Sequence, residues 1–184
     1  MENTKFINVC EPYVGSQELD YVTDCIKSGW ISSESPYVKR FEDSFAADIG
    51  AQSGIAVANG TAALEVALYA AGVSAGDEVI LPSFTIISCF IAIIRLGAIP
   101  VLVDVDADTW NMSTDQVIKK ITPKTKAILV VHIYGHPVDM DPIIEVSEHK
   151  KIKLVEDVAE SYGAEYKGQR CGTFGETAAF SLYA

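Results

Sequence analysis

The sequence predicts an α/β fold, a mostly parallel β-sheet with helices on both faces. Three observations predict it. Short apolar runs recur along the chain and are bounded by turn residues. Most of these runs are apolar at successive positions instead of alternating with polar residues, as in strands buried on both sides. Stretches of helical periodicity separate most of them, the pattern of strand–helix–strand crossovers.

Each element follows from local signals. Residues 16–28 place Leu19, Val22 and Ile26 at helical spacing, with Ser16 as the expected N-cap and Gly29 just past the end. After the loop GWISSES, Ser35 is the expected N-cap of a second helix with Pro36 in its first turn. Tyr37, Phe41, Phe45 and Ile49 lie along one face of that helix, and Gly50 stops it. Strands are expected at 54–59, 77–82, 99–104, 126–132, 151–157 and 177–183, with helices near 61–72, 84–96, 114–121 and 142–149. Ser113 with Gln116 is a candidate capping box for the third of these helices, and Asp141-Pro142 opens the fourth. No repeat, linker or low-complexity tract interrupts the pattern, so residues 1–184 read as a single unit. The chain ends inside an expected strand, so the domain is expected to be incomplete at its C-terminus.

Composition narrows the function. The chain has 184 residues, 49% of them hydrophobic, enough for one sizeable core. Its formal net charge of −11, with no offsetting basic cluster, argues against nucleic-acid and membrane-surface partners. Cys10, Cys25, Cys89 and Cys171 are widely spread, so free thiols are expected and a zinc site is not. The N-terminus lacks a basic segment followed by an apolar one, which gives no support to a signal peptide. The longest apolar stretch, 86–96, is too short to span a bilayer and carries Ser88 and Arg95. A soluble, cytoplasmic protein is the expectation.

Ligands of such sheets sit beyond the carboxyl ends of the strands, where helix N-termini offer backbone N–H groups. At Asn59-Gly60-Thr61 an expected strand runs directly into a helix. Gly60 permits close approach of a ligand, and Thr61 adds a hydroxyl to the open N–H groups, which suits a phosphate. A capped helix start with no ligand fits the same residues. Val155-Glu156-Asp157-Val158-Ala159-Glu160 ends an apolar run with carboxylates. These either cap the next segment or face a buried cation. A phosphate site and an acidic group on one sheet edge together suit pyridoxal 5'-phosphate, whose ring nitrogen needs an acidic partner. Ser181 adds a hydroxyl on the last expected strand.

The segments NGTAAL, GDEVILPSFT, GAIPVLVDVD, VEDVAES and GTFGETAAFSLYA occur in an order and spacing that resemble the DegT/DnrJ/EryC1/StrS family. These are nucleotide-sugar aminotransferases of the pyridoxal-phosphate transferase fold type I. GWISSESPYVKRFEDSFA, DTWNM, ITPKTKAI and VHIYGHPVDMDPI resemble its perosamine-synthase subgroup. The resemblance covers essentially the whole chain. It implies that Gly60, Thr61 and Ser181 hold the cofactor phosphate, that Asp157 pairs with the ring nitrogen, and that Glu160 lies near the ring 3-hydroxyl. The position that usually stacks an aromatic on the ring is Ile86, leaving an apolar wall unless Phe84 turns inward. Ser35 stands where glycine is expected.

The resemblance also implies transamination of a nucleotide-linked 4-keto-6-deoxy sugar with L-glutamate as donor, in a homodimer with shared active sites. No catalytic residue is expected within the chain: the lysine that carries the cofactor would fall two residues past Ala184. A histidine there would imply a 3-dehydratase instead. These 184 residues, lacking that lysine and the C-terminal small domain, are expected to be inert alone.

Two other patterns are set aside. Residues 104–115 open like an EF-hand, but Thr109 stands at its glycine position and Asp115 at its glutamate position. His132 and His136 are four apart but flank Tyr134-Gly135 at a strand end, so they are expected to line the active-site side of the sheet and not to bind zinc. Trp30 and Trp110 are expected to pack.

Overall fold

A computed structural model describes residues 11–182. Its centre is a five-stranded sheet in the order β2-β1-β3-β4-β7, with every neighbouring pair parallel. The strands are β1 (Glu78–Pro82), β2 (Ile99–Val103), β3 (Thr125–Val131), β4 (Lys153–Asp157) and β7 (Thr177–Ala179). A small antiparallel pair, β5 (Glu165–Tyr166) and β6 (Gln169–Arg170), lies between β4 and β7 in sequence.

From β1 the chain steps outward to β2, then returns to β3 on the other side of β1. Right-handed crossovers made in opposite directions must place their helices on opposite faces. They do. Helices α3 (Gly60–Ala70) and α4 (Ile87–Arg95) cover one face, packing Leu64, Leu68, Ala92 and Ile93 against Val79, Leu81, Leu129 and Val155. Helices α5 (Thr114–Lys120) and α6 (Met140–Lys150) cover the other, packing Val117, Met140 and Ile143 against Ile80, Ile128, Val130 and Leu154. Successive residues of one strand therefore enter different cores, which is why the strands read as unbroken apolar runs. The fold class is α/β, as expected.

The second helix, α2 (Pro36–Ile49), begins and ends where the sequence places it. The Ser35 hydroxyl accepts the Tyr37 N–H, and Gly50 closes the helix with a left-handed φ of 78°. Replacing Ser35 with alanine should cost about 1 kcal/mol in a urea unfolding titration, since it deletes this cap.

Several expectations are corrected. Residues 54–59 form no strand: no described segment pairs with them, and the Ala56 N–H goes instead to the Glu42 carboxylate at 2.8 Å. The last strand ends at Ala179; Tyr183 and Ala184 lie outside the described residues, as does Cys10. Helix α1 (Ser16–Ser28) is capped by Gly15, not Ser16, because the Glu18 carboxylate reaches back to the Gly15 N–H. Its Leu19, Val22 and Ile26 are exposed. Helices α3 and α4 are shorter than 61–72 and 84–96. Gln116 makes no capping box with Ser113, because its side-chain oxygen accepts the Asp104 N–H. Helix α6 begins at Met140, behind Asp139, which frees the Asp141 carboxylate to pair with Lys167.

Among the described residues no helix is long and apolar enough to cross a membrane, and no cluster of three His, Cys, Asp or Glu could hold a metal ion. Cys25, Cys89 and Cys171 are free thiols.

Candidate active site

The carboxyl edge of the sheet collects the residues singled out by sequence. Helix α3 starts at Gly60, with the Asn59 side chain accepting the Ala62 N–H at 2.9 Å. The N–H groups of Gly60 and Thr61 open the helix, where no intrahelical acceptor exists. They lie at the positive end of its dipole. Gly60 is pressed against Ser181: a methyl group there would lie 3.0 Å from the serine Cβ and 3.2 Å from its hydroxyl. Thr61 donates to or accepts from Ser88 at 2.8 Å. Gly60 thus sits against the Ser181 hydroxyl, while the next residue, Thr61, pairs its hydroxyl with Ser88.

Asp157 ends β4 and stands in register with Ala179, two residues before Ser181. It is 3% exposed. One carboxylate oxygen accepts the Ala159 N–H at 3.0 Å, and the other accepts the Cys89 thiol at 3.1 Å. Burial holds its carboxyl above the ordinary carboxylate range, only partly opposed by those two donors. Among the described residues no lysine or arginine pairs with it. The carboxyl is thus buried with two neutral donors and no described lysine or arginine beside it.

Glu160 is exposed, and its carboxylate accepts the Tyr134 N–H at 2.8 Å. Ile86 is the N-cap of α4 and 63% exposed, free to form a wall over the site. Phe84 is wedged edge-on between Trp110 and Tyr134, with ring centroids 5.1 and 6.3 Å apart. A groove of about 820 Å³ runs from this cradle between residues 54–59 and the β7 edge, bordered by Phe41, Val57, Gly60, Phe180 and Ser181.

His132 departs from its expected place. It is fully buried and does not line the edge; His136 is exposed. The His132 Nδ1 accepts the Val138 N–H, which leaves the proton on Nε2, facing Glu156 at 3.2 Å. Glu156 in turn accepts the N–H groups of Gly172, Phe174 and Gly175 at 2.7, 2.7 and 2.9 Å. Glu156 was not expected to have a role of its own; the signal was a second carboxylate beside Asp157 at the end of a buried apolar strand.

Residues 12–184 match the DegT/DnrJ/EryC1/StrS aminotransferase family. The chain is 46% identical over 179 residues to GDP-perosamine synthase of Escherichia coli O157:H7, covering 97% of this chain and 49% of that protein. GDP-perosamine synthase of Caulobacter vibrioides is 43% identical over 183 residues, with 100% and 49% covered. Among solved structures, Spr1654 of Streptococcus pneumoniae in its PLP-form superposes with a TM-score of 0.91 at 33% identity, over 97% of this chain and 49% of that one. The same protein is solved in a PMP-form. The chain spans about half the length of the curated relatives it matches. On this evidence the chain belongs to the DegT/DnrJ/EryC1/StrS aminotransferase family.

Proposed function

We propose that this chain forms the cofactor-binding part of a pyridoxal 5'-phosphate-dependent aminotransferase. Its substrates are L-glutamate and a nucleotide-linked 4-keto-6-deoxy sugar, in a GDP-perosamine synthase-like reaction. The observation that carries this is Asp157: a buried carboxylate with no cationic partner among the described residues, on the same sheet edge as the Gly60–Ser181 cradle. The family membership supports it. So does the solution of a 33%-identical relative in PLP- and PMP-forms.

Pyridoxal phosphate, when bound, supplies an electron sink that lets an amino acid release its α-proton and leave its nitrogen behind. The chain's own residues do the rest. The Gly60 and Thr61 N–H groups and the Thr61 and Ser181 hydroxyls bind the phosphate dianion, which the α3 dipole also favours. Asp157 holds a proton at the ring nitrogen, since a cation there recovers the charge interaction that its burial forfeits. Ile86 covers one ring face and excludes water. Glu160 orients polar groups at the rim through its bond to the Tyr134 backbone. The reading includes a cytoplasmic homodimer with shared active sites.

The test uses the full-length gene product with L-glutamate and 4-keto-6-deoxyhexoses carried on GDP, UDP or dTDP. Formation of 2-oxoglutarate that requires added pyridoxal phosphate, fastest with the GDP sugar, is the expected result. A protein that takes up no pyridoxal phosphate would overturn the reading.

A further inference from the structure

We infer that the first turn of α4, through Ser88 and Cys89, is a positioning device that sets the anion cradle and the Asp157 carboxylate in register with each other. The inference rests on the pyridoxal phosphate reading above. Ser88 meets the Thr61 hydroxyl at 2.8 Å, and the adjacent Cys89 meets the Asp157 carboxylate at 3.1 Å. Cys89 is fully buried, and the Thr85 hydroxyl lies 3.2 Å from its sulfur, which fixes the thiol rotamer. The helix itself cannot drift, because Ala92 and Ile93 one turn later are buried in the core shared with α3.

A cofactor bound through a phosphate at one end and a ring nitrogen at the other is sensitive to the span between the groups that hold it. In this fold those groups sit on different elements, Thr61 on α3 and Asp157 on β4, which are not neighbours in sequence. Consecutive residues of one rigid helical turn bridge them. The contacts also set the carboxylate plane: the Ala159 N–H holds one oxygen and the Cys89 thiol the other, leaving the remaining lone pairs to a ring nitrogen.

The thiol is suited to this as a donor and not as a nucleophile. Burial, and then the charge of Asp157, push its ionisation far above the ordinary thiol range, so it stays protonated. A thiol is also a weak donor, so it orients Asp157 while leaving the carboxylate free to hold its proton-bearing partner.

The experiment compares Cys89→Ala, Cys89→Ser and Ser88→Ala in the full-length gene product. It measures pyridoxal phosphate affinity by the cofactor's absorbance, and the pH titration of that absorbance. Thermal unfolding without cofactor monitors the fold. Cys89→Ala should weaken affinity about five- to tenfold, the upper scale of an ordinary hydrogen bond, and displace the titration. Cys89→Ser, which keeps a donor, should stay within about threefold of the parent, less than the cost of one neutral hydrogen bond. Ser88→Ala should weaken affinity about three- to tenfold and raise the concentration of inorganic phosphate needed to compete by a similar factor. Parental affinity and titration in Cys89→Ala and Ser88→Ala would overturn the inference while leaving the cofactor reading intact. Failure of the parent to bind pyridoxal phosphate would overturn both. If Cys89→Ala does not fold, the Ser88→Ala result decides alone.

Discussion

Replacing Glu156 with glutamine is expected to destabilise the fold by about 2–4 kcal/mol, the cost of leaving one or two buried polar groups unsatisfied. The side chain is fully buried, and its two oxygens accept four donors. Glutamine keeps one carbonyl oxygen, which can still serve Phe174 and Gly175. Its amide nitrogen then faces the Gly172 N–H and the His132 Nε2–H, donor against donor. His132 cannot relieve the clash by moving its proton to Nδ1, because the Val138 N–H already points there. The loop 171–175 has little room to shift: a methyl group at Gly175 would lie 2.3 Å from the Leu154 carbonyl oxygen. In a chain of this size the loss amounts to roughly 5–15 °C in the unfolding midpoint. Calorimetry of parent and variant checks it, and a difference within about 0.5 kcal/mol, the scale of an ordinary surface change, would show that Glu156 does not anchor the loop.

The parts of the fold legible in the sequence were those that local chemistry alone decides. The runs at β1, β3 and β4 announced themselves because residues 79–81, 127–131 and 154–155 enter one core and the other in turn. The ends of α2 were readable because Ser35 and Gly50 act within one turn of their own position. Residues 54–59 failed the same test for a physical reason. An apolar extended segment becomes a strand only when another backbone lies beside it, and that depends on sequence-distant neighbours. The helix starts at Gly15 and Asp139 were misplaced by one or two residues because other side chains decide them: Glu18 reaches back to the Gly15 N–H, and Lys167 takes up the Asp141 carboxylate.

The candidate site divides the same way. Gly60, Thr61, Asp157 and Ser181 each stand at an element end, where residue type and position suggest a ligand. What sequence could not disclose is how these ends are joined. The Thr61–Ser88 and Cys89–Asp157 contacts span 27 and 68 residues, and the Glu156 cluster ties β4 to both His132 and the loop 171–175. A second buried carboxylate beside Asp157 looks redundant in one dimension. In three, Glu156 faces the loop that leads into β7 while its neighbour Asp157 faces the sheet edge, because successive strand residues point to opposite sides.

Asp157→Asn should have opposite effects on stability and on function, and that opposition is the sharpest test of its assignment. Burial raises the Asp157 carboxyl above its unfolded value, so the folded chain binds this proton more tightly than the unfolded one. By linkage, the stability contributed by the protonated form is fully present below the unfolded carboxylate value. It is lost as pH rises through the raised native one. Above that native value, without cofactor, the protein carries a buried carboxylate charge offset only by the Ala159 N–H and the Cys89 thiol. Asparagine removes the charge, and its side-chain oxygen can still accept the Ala159 N–H. The cofactor-free variant should be more stable than the parent at pH values above the raised native one and indistinguishable from it below the unfolded carboxylate value, as read from unfolding midpoints across pH. Function should move the other way. Without an anion at the ring nitrogen, turnover by the full-length gene product should fall about 10²–10³-fold or more, the scale for removing one preorganised electrostatic partner. A variant destabilised at neutral pH would mean that Asp157 is held by structural partners and not reserved for a cation. A variant with parental turnover would remove the carboxylate from the chemistry altogether. The predicted combination, a firmer fold with a failed reaction, is the one expected of a buried carboxylate kept for a positively charged ligand.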